Sequence, residues 1–406
     1  MTEVANKINK NGNVPALRFP EFEGEWVEKK LGEVASIKSG STPLRSNRLY
    51  FDEGDIPWVK TTDLNNSNIF DTEEKITHHA NARINPVDTV LVAMYGGFNQ
   101  IGRTGYLKVP AATNQALSAI SPSNDYLQPA YLHIWLNAKV NLWKRIASSS
   151  RKDPNITGSD VAAFPVAMPS IIEQSKIASF LSLIDERIST QNKIIEELKT
   201  LKAALSKQIF SQKLRFKDVK GKDFPEWRNG FGNELFENSS NKKHSSDLPI
   251  LAISQEHGAI PRDLIDYNIT VTDKSIENYK VVDEGDFIIS LRSFQGGIEF
   301  SNYKGICSPA YIILKPKVEL NPIFYKYYFK TVEYIAKLNA KLEGIRDGKM
   351  ISYKYFSEIE LPIPSIMEQA KTASFLSAVG YRINIEEDAL ILLNSQKQFL
   401  LSKMFI

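Results

Sequence analysis

Apolar side chains return at alternating steps of four and three along one stretch of this 406-residue chain: Ile177, Leu181, Ile184, Ile188, Ile195, Leu198, Leu205 and Ile209. That rhythm belongs to a helix with one apolar seam. Polar Gln191 and Lys202 stand where the seam would otherwise continue. The same rhythm returns 195 residues later as Leu376, Val379, Ile383, Leu390, Leu393, Leu400 and Met404, interrupted by Glu386 and Lys397. Both interruptions fall at the same places as in the first copy. Each stretch predicts a helix of roughly 40 residues, about 60 Å long at 1.5 Å per residue. A polar helix with one apolar stripe needs cover for that stripe. The two copies can cover each other as an antiparallel coiled coil with pseudo-twofold symmetry, the polar breaks helping to fix register.

The letters agree with the pattern where each helix begins. PSIIEQSKIASFLS (169–182) and PSIMEQAKTASFLS (364–377) are identical at eleven of fourteen positions. Each follows a short apolar strand with proline, FPVAMPS (164–170) and IELPIPS (359–365). Proline favours an extended approach, and Ser170 or Ser365 can cap the helix that follows. Further upstream Arg151 matches Arg346, Ile156 matches Ile351, and Thr157 matches Ser352.

Two inserts separate the helices. Each opens with Leu-Arg-Phe (17–19 and 214–216), a Gly-containing polar loop and a tryptophan, Trp26 or Trp227. Each then has a β-rich run ending in a glycine pair, DTVLVAMYGG (88–97) and GDFIISLRSFQGG (285–297). A second strand and one helix rich in aromatic residues follow, over 129–147 and 322–338. The inserts therefore predict two mixed domains of one fold. The fold class is α+β, with two similar α/β domains separated by the repeated helices. The expected boundaries are a tail at 1–16, a domain at 17–165, a helical spacer at 166–213, a domain at 214–358 and a helical spacer at 359–406. The loops of the two domains differ, as in IPWVKTTDLNNSNIF (56–70) against PILAISQEHGAI (249–260). A repeated frame with divergent loops fits two related recognition tasks.

Composition narrows the chemistry. The net charge of +3 permits a nucleic-acid surface without demanding one. The single cysteine, Cys307, leaves no disulfide framework or zinc cluster within one chain and fits the cytosol. No secretory leader and no membrane span are expected. There is no phosphate-binding loop of the G-x-x-x-x-G-K-[ST] type; GIRDGKM (344–350) has the wrong spacing. There is no Gly-rich dinucleotide fingerprint and no Asn-Pro-Pro-aromatic motif, NPIF (321–324) being the nearest text. Glu73-Glu74-Lys75 lacks the upstream Pro-Asp of a nuclease and reads as a solvated face. His78 and His79 show no metal-ligand spacing with the other histidines.

At this point the sequence resembles the specificity subunit of bacterial type I restriction–modification enzymes. The resemblance runs along nearly the whole chain. Its most specific marks are the EQxKxASFL segments at 173–181 and 368–376. GSTPLRS (40–46), IPWVKTTDL (56–64), TVLVAMYGGFNQIGRTGY (89–106) and TNQALSAI (113–120) are also similar. The second insert departs further, with ILAISQEHG (250–258) and SPAYIIL (308–314) at the matching places. The resemblance implies a non-catalytic subunit that reads double-stranded DNA. Each recognition domain would read half of a split, asymmetric target, and the helices would set the spacer. The helices would also dock two methylation subunits, and restriction subunits would join through that core. S-adenosylmethionine, ATP and Mg would sit on those partners, with no cofactor and no metal in this chain.

DNA readers need base-edge donors and phosphate-binding cations on loops: Arg for guanine, Asn or Gln for adenine. In the first insert the candidates are Lys60, Thr61, Thr62, Tyr95, Asn99, Gln100, Arg103, Asn114 and Gln115. Turn chemistry alone also accounts for Asn beside Gly, and Arg103 reads equally as a fold ion pair. In the second insert Arg292, Ser293, Phe294 and Gln295 hold the matching strand end, with Gln255, Glu256 and His257 on a neighbouring loop. Arg151, Lys152, Arg346 and Lys349 lie in loops common to both halves, which fits phosphate contact. Bracing of the helix start is the other reading of the arginine pair. Two rivals from other classes remain: a coiled-coil scaffold whose domains bind protein, and a self-sufficient methyltransferase or nuclease.

Overall fold

The computed structural model describes residues 12–148, 154–244, 247–265, 276–340 and 351–406. The chain forms two compact units: Met1–Asn192 with Ala389–Ile406, and Lys193–Asp388. Two long helices, Ile171–Phe210 and Ile366–Met404, each contribute one half to each unit. Ser170 and Ser365 cap them, their hydroxyls accepting from the N–H groups of Glu173 and Glu368 at 3.3 Å.

Inside unit 1 the helix halves run antiparallel. Ile177 and Leu181 share one buried core with Leu400 and Met404, and Ile184 packs against it. One turn further along, the Asp185 carboxylate meets the Lys397 ammonium at 2.5 Å. Ile188, Leu390 and Leu393 are half-buried. Inside unit 2 Ile195, Ile209, Leu376 and Ile383 are buried, and Leu198, Leu205 and Val379 half-buried. Lys199 pairs with Glu387 at 2.9 Å, and Lys202 lies beside Gly380 three residues on. Rising numbers on one helix again meet falling numbers on the other. The breaks Gln191, Lys202 and Lys397 are half-buried, and Glu386 is buried and paired with Arg382. Low-dielectric burial of such groups rewards only a register that gives them partners.

The core of unit 1 is a five-stranded sheet in the order Ala35–Ser39, Leu117–Pro122, Val90–Ala93, Thr104–Leu107, Ser67–Ile69. Unit 2 builds the matching four strands in the order Phe236–Ser239, Ile312–Pro316, Phe287–Ile289, Glu299–Phe300. Helices lie against each sheet. In place of the single helix expected over 129–147 there are two, Pro129–Ala138 and Val140–Ser148; over 322–338 there are Pro322–Tyr328 and Val332–Ala340. In unit 2 the break has a visible cause. The Thr331 hydroxyl donates to Tyr328 O and accepts from Tyr334 N–H, capping a new helix.

The repeated text at the helix starts builds the same anchor twice. In unit 1 Glu173 is buried and takes a bidentate contact from Arg18, with Nε and Nη2 each at 2.8 Å. In unit 2 buried Glu368 takes the same contact from Arg215, at 3.1 and 3.0 Å. The next residue staples the aromatic helix. Gln174 accepts from Gln128 N–H at 2.9 Å and donates to Pro169 O, while Gln369 accepts from Asn321 N–H at 2.8 Å and donates to Pro364 O. The Leu-Arg-Phe segment, the EQ dipeptide and the domain helix thus form one polar knot. A short antiparallel pair closes each domain beside it, Val27–Lys30 with Pro165–Met168 and Arg228–Phe231 with Glu360–Ile363.

Candidate nucleic-acid interface

In unit 1 the fully buried strand Val90–Ala93 ends in an exposed turn. Gly96 and Gly97 have φ of +115° and +87°, a region that a Cβ disfavours. The Gly97 carbonyl accepts from Gln100 and Ile101 N–H, which folds the turn back on itself. Tyr95, Phe98 and Asn99 are exposed, and the Lys144 ammonium lies 5.5 Å over the Phe98 ring. Arg103 Nε donates to Asn99 O at 3.1 Å, so this arginine braces the turn. The Gln100 side-chain oxygen is buried against Gly96 and has no hydrogen-bond partner among the described residues.

Neighbouring loops converge on this end of the sheet. Met94 N–H donates to Ala116 O, Asn114 N–H to Val59 O, and Asn66 N–H to Thr104 O. The turn Thr61–Asp63, whose start is fixed by Lys60 N–H donating to Asp63 at 2.7 Å, therefore lies beside the turn at 95–103. Thr62 and Gln115 are exposed and Thr61 is half-buried. The Asn114 side chain accepts from Ala116 N–H, a turn role.

Lys60 does not stand free. Its ammonium lies 2.6 Å from Glu74, whose carboxylate also binds the Arg45 guanidinium. The Arg45 guanidinium carbon lies over Trp58 and Phe51, with 4.9 and 5.2 Å to the ring centroids. Arg45 foremost, then Lys60, holds the Glu74 carboxyl below the usual carboxylate range. Glu74 is thus the hub of a cluster, in contrast to the solvated face expected of Glu73-Glu74-Lys75. Sequence reasoning missed Arg45. The signal was there: an arginine in the GSTPLRS loop shortly before Phe51 and Trp58.

In unit 2 the strand Phe287–Ile289 leads into a short helix, Ser293–Gly296, where unit 1 has its glycine turn. Arg292 and Gln295 are exposed. Gln255 reaches across to donate to Arg292 O at 3.1 Å, which joins the two candidate loops. Glu256 is exposed, and His257 is exposed with its N–H held by Ser254 Oγ. Ser293 is fully buried and its hydroxyl accepts from Ser290 N–H, so it shapes the turn and is closed to a ligand. Phe294 packs against the domain core. Lys330 ties the turn down by donating to Gly296 O and to buried Glu299. Arg151, Lys152, Arg346 and Lys349 lie outside the described residues.

Among the described residues no group of three or more His, Cys, Asp or Glu side chains is placed to hold a metal. Burial pushes the Cys307 thiol up to about 12, far from a ready nucleophile. No described helix is long and apolar enough to cross a membrane.

Comparison with known proteins places this architecture. The family model described as the type I restriction modification DNA specificity domain matches twice, over residues 23–200 and 216–395. The chain is 27% identical over 290 residues to a protein of Methanocaldococcus jannaschii provisionally named the type I restriction enzyme MjaX specificity subunit, covering 66% of this chain and 65% of that one. It is 25% identical over 174 residues to the EcoR124I/EcoR124II specificity subunit of Escherichia coli, covering 42% and 43%. The chain thus spans less than two thirds of the length of each of these relatives. The crystal structure of the type I restriction–modification S subunit from M. genitalium shares the fold, with a TM-score of 0.59 over 97% of this chain and 99% of that one at 15% identity. With two matched domains along its length, the chain belongs to the type I restriction–modification DNA specificity family.

Proposed function

We propose that this chain is the DNA-reading subunit of a type I restriction–modification complex, in which each recognition domain reads one half of a split, asymmetric target. The observation that carries the reading is the contrast within each unit. A repeated anchor fixes the domain to its helices, while polar and aromatic residues of different kinds are exposed at the matching strand end. In unit 1 these are Thr62, Tyr95, Phe98 and Asn99; in unit 2 they are Gln255, His257, Arg292 and Gln295. Such groups read base edges, and the frame that holds them carries no sequence information.

The helices set the spacer between half-sites. A helix of about 60 Å exceeds one DNA turn of about 34 Å, so half-sites one turn apart are within its reach. The helices also dock two methylation subunits, through which restriction subunits join. Exposed apolar side chains off the seam support that docking: Leu183, Ile391, Leu392 and Phe399 in unit 1, Leu201, Tyr381 and Ile385 in unit 2. S-adenosylmethionine, ATP and Mg belong to those partners, and the complex works in the bacterial cytoplasm.

The test is methylation mapping. The chain is expressed with its host's methylation subunit in an unmethylated bacterium, and modified adenines are sequenced genome-wide. One split motif with a fixed gap and one modified adenine in each half is the expected result. No motif, with the methylation subunit active beside another specificity chain, would leave a protein-binding scaffold as the better reading. In the same assay Arg292→Ala should relax one position of one half-site and cost about 1–3 kcal/mol. Equal weakening at all sequences would deny Arg292 a base-reading role.

A further inference from the structure

Arg45 comes from an irregular segment before the strand Ile56–Val59, and its side chain is 56% exposed. Its guanidinium carbon lies over both the Trp58 and Phe51 rings, which meet edge to face. Its two terminal nitrogens meet the two Glu74 oxygens, Nη1 on Oε1 and Nη2 on Oε2. A guanidinium held end-on in this way keeps a side edge, Nε–H and the outer hydrogen of one terminal nitrogen, for a further bidentate contact. The main chain of Glu74 is itself fixed. The Thr72 hydroxyl donates to Glu74 O at 2.7 Å and accepts from Trp58 N–H at 3.1 Å. The aromatic pair, the strand and the Lys60-bound carboxylate therefore frame the guanidinium on several sides. Lys60 shares Oε2 but is only 25% exposed. Two cations on one carboxylate leave a net positive site.

A long, flexible cation gains most from such a frame when it must meet a partner in one orientation, because its rotamers are restricted before binding. Phosphate tolerates many approaches; a guanine edge, with O6 and N7 side by side, needs the fork aimed. We infer that Arg45 is a base-reading residue of unit 1, directed at a guanine edge, and that Glu74 is its positioning residue. This rests on the DNA-reading function proposed above. Lys60, mostly covered and paired with Glu74, neutralises the carboxylate and makes no base contact.

The experiment is methylation mapping of the complex with its methylation subunit, for wild type, R45A, R45K, E74Q, K60A and R45A/E74Q, with thermal melting of each. R45A should lower modification of the wild-type motif roughly 10- to 100-fold and relax a single position. R45K, which keeps the charge and loses the fork, should relax the same position. E74Q should relax that position again, less than tenfold, and R45A/E74Q should be no worse than R45A, since the carboxylate acts through the guanidinium. K60A should leave the position unchanged. The inference falls if R45A weakens all sites equally, if E74Q alters a different position, or if the motif survives all variants while melting drops. Should R45A not fold, R45K decides alone. A wild-type complex that writes no motif removes the DNA-reading function, and the inference with it; a wild-type motif untouched by these variants removes the inference only.

Discussion

The two units agree most closely where they are buried and differ most where they are wet. Arg18 on Glu173 and Arg215 on Glu368 are the same bidentate contact built from different stretches of chain. Tyr131 and Tyr325 likewise both donate to the strand before the helix, to Ala167 O and Pro362 O. At the strand ends the likeness stops: a glycine turn stands in unit 1 and a short helix in unit 2. A buried carboxylate without its partner costs several kcal/mol, so few alternatives exist at the anchor. An exposed loop carries fewer packing constraints, so it can change with the target. The difference teaches where to look for function in each unit, and it can be tested from both sides.

The largest effect should come from the anchors. Glu173→Ala or Glu368→Ala breaks a buried pair and should destabilise its own unit by about 3–5 kcal/mol. Hydrogen exchange in the strands Val27–Lys30 and Arg228–Phe231 reports each unit separately. Each variant should loosen its own strand pair, by similar amounts in the two units. A loss confined to one anchor would mean that the two contacts look alike but do unequal work.

Much of this frame was legible in the chain. The alternating four-and-three rhythm, with polar breaks at matching places, gave the paired helices, and the positions it marks are buried or half-buried. The glycine pair marked the turn in unit 1, because few other residues accept those angles. The anchors were not legible. Arg18 and Glu173 are 155 positions apart, and a glutamate in the first turn of a helix reads as dipole chemistry rather than as half of a buried pair. The split of the unit 2 aromatic helix was hidden too, since Thr331 caps through its own turn without proline or glycine. Glu74 was misread for a similar reason. Its neighbours Glu73 and Lys75 looked like a solvated run, while its partner Arg45 lay 29 residues away in a loop.

The second effect separates the units by acid. His133 stacks on Tyr106 in unit 1, and the matching helix of unit 2 carries Tyr327. Burial foremost, then the charges of Lys397 and Lys108, pushes the His133 imidazole down to about 4. The folded unit keeps it neutral, while the unfolded chain takes up a proton near pH 6.5. Its contribution to stability is therefore full above about 6.5 and is lost as pH falls toward 4, by roughly 3 kcal/mol. In unit 2 burial raises Asp286 and Glu299 above the ordinary carboxylate range, so those two groups favour folding as pH falls. Exchange at pH 7 and 4.5 should show unit 1 losing protection that His133→Phe restores in part. No difference between His133→Phe and wild type across that window would remove His133 as the cause.

The smallest effect probes the seam itself. Lys397 and Lys202 are matching breaks, yet they are satisfied differently. Lys397 has the Asp185 carboxylate at 2.5 Å. Lys202 has the Tyr327 ring, 5.3 Å to its centroid, and the position matching Asp185 is Gly380. Burial lowers the Lys202 ammonium from its usual value, and the Glu387 carboxylate offsets part of that cost. Glycine inside a helix costs about 0.5–1 kcal/mol relative to alanine. A Cβ at 380 would meet the Lys202 Nζ at 3.2 Å, the far end of a flexible side chain. Gly380→Ala should therefore stabilise unit 2 by up to about 1 kcal/mol, seen as slower exchange in the helix around 376–386. If it destabilises instead, the ammonium cannot move without leaving the ring. Gly380 would then be a packing requirement of the unit 2 seam, the counterpart of the ion pair that Asp185 supplies in unit 1.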